Sequence, residues 1–436
     1  LYKYNPILNS FSHFNYDSKN KNSISSHQVN AVFQDSFNVL WIGTAQGGIN
    51  KLDLFQKPFY SYTHNPYNKF SIGDNLITSI LEDNKGKIWV SGYNKKLFRS
   101  IDAINENNLN KIKFEDLQSK LPIEKNDVIR CIFQDQRNYI WFGTDKKVFV
   151  YNPINKGFKE IQFLSENNIA QLLLTRKIAQ INDTDIVLSG SKVVVIENPW
   201  KEIAQKRNPK INIKSSLKIA ASKVQCFLQD SNNQLWFGTD YGLLQCKYEK
   251  GKIKVIRQYQ DNKTGSSKIS DNRVFTLLED DKKNIWIGTF GGGLNKLTLD
   301  SDHNPIKMDY FRKNDILPDD AIYGILAQEK SDDLWISTDM GLVLFNKETN
   351  KVNVFDVSDG LSHNNFRQSA YTKGKSGLMY FGGLNGLTIF DPKKMVLNKQ
   401  PPKVLITSLL INNKPIRIGE KLDDIVILNK VISETD

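Results

Sequence analysis

Short apolar runs alternate with polar turns along this chain at a regular interval. The segment Leu40-Trp41-Ile42-Gly43-Thr44 has close copies at Ile88-Trp89-Val90-Ser91-Gly92, Ile140-Trp141-Phe142-Gly143-Thr144, Leu235-Trp236-Phe237-Gly238-Thr239, Ile285-Trp286-Ile287-Gly288-Thr289 and Leu334-Trp335-Ile336-Ser337-Thr338. Two further copies lack the Trp: Ile186-Val187-Leu188-Ser189-Gly190 and Met379-Tyr380-Phe381-Gly382-Gly383. The copies follow an apolar strand closed by an acidic pair or its amide variant, as in Val224 to Asp230, and a polar turn such as Ser231-Asn232-Asn233-Gln234. A Gly-rich turn follows, then a third apolar strand and a polar, aromatic fourth one, as in Phe59-Tyr60-Ser61-Tyr62. Such punctuation joins antiparallel strands by hairpins. Four short strands per unit of roughly 48 residues predict a propeller blade. Six of the seven tryptophans share one slot, where a large flat side chain is expected to fill the space between neighbouring blades.

The pattern predicts an all-β chain: a β-propeller of seven or eight four-stranded blades over residues 1–397, followed over 398–436 by a linker and the first strands of a β-sandwich. Eight blades follow from the count of cores. Seven require one core to be displaced. Leu1-Tyr2-Lys3-Tyr4-Asn5 and Phe11-Ser12-His13-Phe14 read as third and fourth strands that close the ring on the last unit. The weakest repeat lies between Ile161 and Pro209, with Trp200 in a connecting insertion. After Pro401-Pro402 a new strand is expected over 403–408, with a turn at Ile411-Asn412-Asn413-Lys414-Pro415. The chain opens in mid-strand and is expected to be part of a longer protein.

Composition narrows the chemistry. There are 59 Lys+Arg against 47 Asp+Glu, a formal charge of +12. Two readings stand: attraction to an anionic ligand, or a Lys- and Asn-rich composition spread over solvated turns. The lysines are scattered without a basic block, which favours the second and argues against nucleic acid. Cys131, Cys226 and Cys246 have neither zinc nor disulfide-framework spacing. Cys131 and Cys226 fall at the same place in their repeats and read as small buried hydrophobes. The five histidines form no metal-ligand pattern, and no phosphate-binding glycine loop or nucleophile elbow occurs. No catalytic residue, metal or cofactor is expected. No apolar run is long enough to span a bilayer.

The unit of apolar strand, Asp, turn, Leu-Trp-Ile-Gly-Thr and Gly-Gly-Leu resembles the two-component regulator propeller repeat over about residues 1–397. The tail from Pro401 resembles the start of the β-sandwich with three Tyr repeats that follows such propellers. The resemblance implies the periplasmic sensor part of a hybrid two-component histidine kinase of the inner membrane, detecting glycan-derived oligosaccharides. It further implies a homodimer, and a membrane anchor and kinase outside this chain.

A propeller ligand is expected at the funnel, on loops leading into the first strand and loops after the Trp strand. Planar side chains suit sugar ring faces; Tyr93, Tyr241 and Phe290 offer them. Asn126, Arg130, Asp240, Asn272, Arg273, Asn365 and Arg367 offer polar groups for hydroxyls, and the arginines suit a carboxylate or sulfate. The basic charge tilts the expected oligosaccharide slightly toward an anionic one. Two rivals remain: a protein-interaction scaffold using the same face, and a glycan-cleaving propeller with acids drawn from several blades.

Overall fold

The structure is a computed structural model describing residues 1–6, 9–18, 23–35, 39–53, 57–94, 97–121, 123–124, 126–165, 168–170, 174–217, 223–313, 315–397, 408–422 and 425–428. It divides into two compact units, Lys57–Met395 and Leu1–Gln56 with Val396–Asp436. Residues 1–56, read above as part of the propeller, fall in the smaller unit.

The larger unit is a ring of seven blades. Blade 1 is built from Ile77–Glu82, Ile88–Gly92, Leu97–Ser100 and Phe114–Asp116. Blades 2 to 6 begin with the inner strands Ile129–Gln134, Lys177–Gln180, Val224–Gln229, Val274–Glu279 and Gly324–Ala327, and each continues through three antiparallel strands. Blade 7 has Phe366–Lys373, Met379–Gly383 and Gly386–Phe390. Its fourth strand is Tyr60–Tyr62, in the register Leu387↔Tyr62, Thr388↔Ser61, Ile389↔Tyr60. That segment reads in sequence as the outer strand of the first repeat, but it completes the last blade. Tyr62 then extends to blade 1, donating to Leu109 O and accepting from Ile112 N at 3.2 Å. Ile77 and Ile80 of blade 1 share one core with Tyr380, Leu387 and Ile389 of blade 7, so the ring is closed.

The repeat around Trp41 is therefore not a blade of this ring. In the smaller unit Val29–Gln34, Val39–Thr44 and Ile49–Asp53 form a three-stranded sheet in which Trp41 is 38% exposed. Tyr2–Asn5 pairs with Ser10–His13, so these strands do not close the ring as expected. The closing strand instead comes from the residues just before blade 1, which need only a short connection. Leu409–Ile411 pairs with Lys414–Ile416 through the predicted turn, with φ of +49° and +62° at Asn412 and Asn413. Two positive φ values match the right-handed twist of the flanking strands. Residues 403–407 of the strand expected there lie outside the described residues.

The spacing from Asp to Trp has a direct cause. Asp230 Oδ1 accepts from the backbone N–H groups of Asn232 (3.0 Å) and Gln234 (2.9 Å), which shapes the hairpin turn. Its Oδ2 accepts from Trp236 Nε1 at 2.8 Å, which holds the indole at the blade boundary. Asp83, Asp135 and Asp280 repeat the arrangement with Trp89, Trp141 and Trp286. All five ring tryptophans of the common slot are fully buried, Trp89 against Phe142 and Tyr151 of blade 2 and Trp335 against Phe390 of blade 7.

Blade 3, the irregular repeat, is joined differently. The outer strand of blade 2, Gly157–Ser165, runs parallel to Lys210–Leu217 of blade 3. Between them sits a short helix α1, Trp200–Gln205. Trp200 is buried and its Nε1 donates to Asp135 Oδ2 at 2.8 Å, the same oxygen that receives Trp141. The Trp outside the common slot thus completes a core beside it.

Candidate functional site

The inner strand of most blades carries a bulge at its second residue. In blade 1 Ile77 pairs with Gly92 and Ser79 with Ser91, which leaves Thr78 unpaired. The same shift frees Arg130, Gln225 and Phe275 in blades 2, 4 and 5. An extra residue on one strand bends it and re-aims a side chain. The partner strand permits the close approach because it carries glycine. A Cβ on Gly238 would lie 2.3 Å from Cys226 Sγ, and one on Gly143 2.6 Å from Cys131 Sγ. This explains why two cysteines recur at one repeat position. Burial pushes both thiols up to about 12, so they remain protonated and packed.

In the equivalent positions blades 3, 6 and 7 place Arg176, Tyr323 and Arg367. Six of these seven residues (Thr78, Arg130, Arg176, Phe275, Tyr323 and Arg367) line one central cavity of about 390 Å³. Phe290, Asp339, Phe366, Gln368, Ser369 and Leu384 complete it. Blade 7 contributes most, because its bulge widens to Arg367–Ala370 between the pairs Phe366↔Gly383 and Tyr371↔Phe381. Ser369 within it has a φ of +65°. Side chains of this strand span the channel. Gln368 Nε2 donates to Gln225 Oε1 at 3.0 Å, and the Tyr371 hydroxyl lies 2.7 Å from Thr276 Oγ1. Lys177 lies over the Tyr371 ring.

Phe275, Phe290 and Tyr323 form one aromatic wall, with ring centroids 5.2 to 6.3 Å apart. The Tyr323 hydroxyl donates to Asp339 Oδ2 at 2.9 Å; burial first, then this bond, holds the phenol well above its ordinary value. Arg130 Nε and Nη2 donate to the two carboxylate oxygens of Asp145, both at 2.7 Å. Gln225 Nε2 donates to Asp240 Oδ1 at 2.6 Å. Arg176 differs from Arg130. Its Nε is buried without a hydrogen-bond partner, and its pKa is lowered by burial and then by the nearby charge of Arg130.

The residues expected from sequence separate into groups. Arg130, Phe290 and Arg367 line the central cavity. Asp240, Tyr241, Asn272 and Arg273 line an open depression of about 600 Å³ with Lys223, Asp261 and Asp271. There Arg273 pairs with Asp271 and lies over Phe290, and Asn272 holds the turn at Asp261. Tyr93 lies under the Arg130 guanidinium at the rim. Asn126 is exposed at a φ of +67°, and Asn365 donates to Asp339 O. These last three line neither cavity. Arg176, Phe275, Tyr323 and Gln368 were missed because they lie within or beside strands rather than in loops. For Arg176 and Phe275 a signal was present: the residue stands eleven positions before the Trp slot in blades 1 to 5. Among the described residues no three metal-ligating side chains cluster, and no helix is long and apolar enough to cross a membrane.

This is a seven-bladed propeller with a central funnel to which six of the seven blades contribute the equivalent residue of the inner strand. The two-component regulator propeller model matches residues 23–46, 71–94, 123–146, 218–241 and 268–291, each window covering an inner strand and its Trp strand. Five copies of the repeated unit of this chain thus match the two-component regulator propeller repeat. A curated relative, histidine kinase P4 of Formosa agariphila, is 24% identical over all of this chain and 27% of its own length. The extracellular domain of the hybrid two-component system BT3049 of B. thetaiotaomicron superposes with a TM-score of 0.68 at 24% identity, covering 94% of this chain and 52% of that one. That of BT4673 from the same organism gives 0.61 at 19%, covering 95% and 53%. The chain thus spans about a quarter of the curated relative and half of the solved domains.

Proposed function

We propose that this chain is part of the periplasmic sensor region of a hybrid two-component histidine kinase, and that its propeller funnel binds a glycan-derived oligosaccharide. The observation that carries the reading is the funnel itself, where an aromatic wall of Phe275, Phe290 and Tyr323 faces polar side chains across about 390 Å³. Small-ligand sites combine apolar walls with a few placed polar groups in roughly 300–1,000 Å³. The relatives named above support the signalling context. In this reading occupancy shifts the balance between two arrangements of paired chains. An anchor and kinase outside this chain then carry the signal across the inner membrane.

Calorimetric titration of the 436-residue chain with neutral and acidic oligosaccharides tests the proposal. We expect a saturable signal that Phe275→Ala weakens by about tenfold, as loss of one stacking platform implies. Absence of saturable binding across the whole panel sinks oligosaccharide sensing by this funnel.

A further inference from the structure

The order of side chains around the funnel is not random. Going round the ring, blades 7, 1, 2 and 3 present Arg367, Thr78, Arg130 and Arg176 in succession, and blades 5 and 6 present Phe275 and Tyr323. One arc is cationic and the opposite arc aromatic. Three carboxylates lie near the cationic arc, but none is bonded to Arg176 or Arg367. Both oxygens of Asp145 are held by Arg130, while Asp240 receives Gln225 and Asp339 receives Tyr323. Among the described residues, neither Arg176 nor Arg367 has a side-chain hydrogen bond or ion pair.

We propose, resting on the sensing role above, that the saccharide taken by this funnel is acidic: its carboxylate or sulfate faces Arg176 and Arg367 while its ring lies against Phe275, Phe290 and Tyr323. Guanidinium forks match oxyanions of this kind by paired, charge-assisted hydrogen bonds. A neutral sugar would further desolvate two cations and give neither a counter-charge, which is unfavourable in a part-buried site. An anion also offsets the repulsion among three guanidiniums that face one cavity. Arg176 Nε is buried without an acceptor, so it has a hydrogen bond to give to such an anion.

The test compares short oligogalacturonates, a sulfated galactan oligosaccharide of the same length and the carboxyl-reduced neutral oligomer, all at one ionic strength. We expect at least one acidic probe to bind about tenfold or more tighter than the neutral one, as a charged hydrogen-bonded pair implies. The preferred probe then separates carboxylate from sulfate. Arg367→Gln and Arg176→Gln should each lower acidic affinity by more than they lower neutral affinity and so erase that preference, with circular dichroism melts showing folded protein. Arg367 lies on a half-exposed bulge, so its variant keeps the test open should the Arg176 variant unfold. Neutral and acidic probes binding equally overturns the acidic assignment and leaves sensing standing, as does full acidic affinity in both folded Arg variants. No binding by any saccharide overturns both.

Discussion

A single carboxylate organises each of blades 1, 2, 4 and 5. Asp230 accepts two backbone N–H groups of its own turn and the indole N–H of Trp236, and two of its three donors belong to buried residues. Removing the acceptor leaves them without partners in a place water does not reach. An unsatisfied buried donor costs about 1–3 kcal/mol. Asp230→Ala is therefore expected to lower stability by about 2–4 kcal/mol, and Asp230→Asn, which retains one acceptor oxygen, by about half as much. Urea denaturation checks this; an unchanged midpoint in the Ala variant would show that the Asp–Trp bond carries no stability. Blade 6 uses Gln328 in the same role, with Trp335 Nε1 donating at 3.1 Å. The position therefore requires an acceptor more than a charge.

Among the elements, the bulged inner strand and the helix α1 depart most from a plain repeat. The bulge turns a sequence position between two core residues into a funnel position, so Phe275 sits between buried Val274 and Thr276 yet lines the cavity. α1 fills the gap left by an imperfect blade 3. Lys159 Nζ donates to Ile203 O and Lys206 O, which satisfies carbonyls around its C-terminal end. Trp200 joins Trp141 on Asp135, with Arg137 stacked over its ring at 4.3 Å. Trp200→Ala is expected to cost about 3–5 kcal/mol, as for other large-to-small core changes. Trp200→Phe, which loses mainly the hydrogen bond, should cost nearer 1 kcal/mol. Equal losses in the two variants, measured by chemical denaturation, would contradict a packing role for this helix.

The whole ring depends on joining two distant parts of the chain. Tyr60–Tyr62 completes blade 7 while Tyr62 bonds Leu109 O and Ile112 N of blade 1. Opening the ring requires breaking that ladder. Replacing Tyr60, Ser61 and Tyr62 by glycine should lower the thermal midpoint by several degrees, at roughly 2 °C for each kcal/mol lost. The same replacement at Tyr2, Lys3 and Tyr4 should leave the ring's transition unchanged. The opposite ranking would restore the N-terminal strands as the closing pair. By itself the sequence determined the all-β class, the four-stranded unit, its period and the buried Trp slot, because these follow from local periodicity and turn chemistry. It also offered Arg130, Phe290 and Arg367, which line the cavity, but only among other loop residues that it could not separate from them. Only the tertiary structure decided that the ring has seven blades, that the Trp41 repeat stands outside it and that Tyr60–Tyr62 closes it. Strand pairing across some 300 residues depends on which edge is left open when the sheets assemble, and no local pattern records that. The convergence of Arg176, Phe275 and Tyr323 was hidden for the same reason: local pattern does not record where a side chain at a strand's start points, and closure of the ring brings those side chains together.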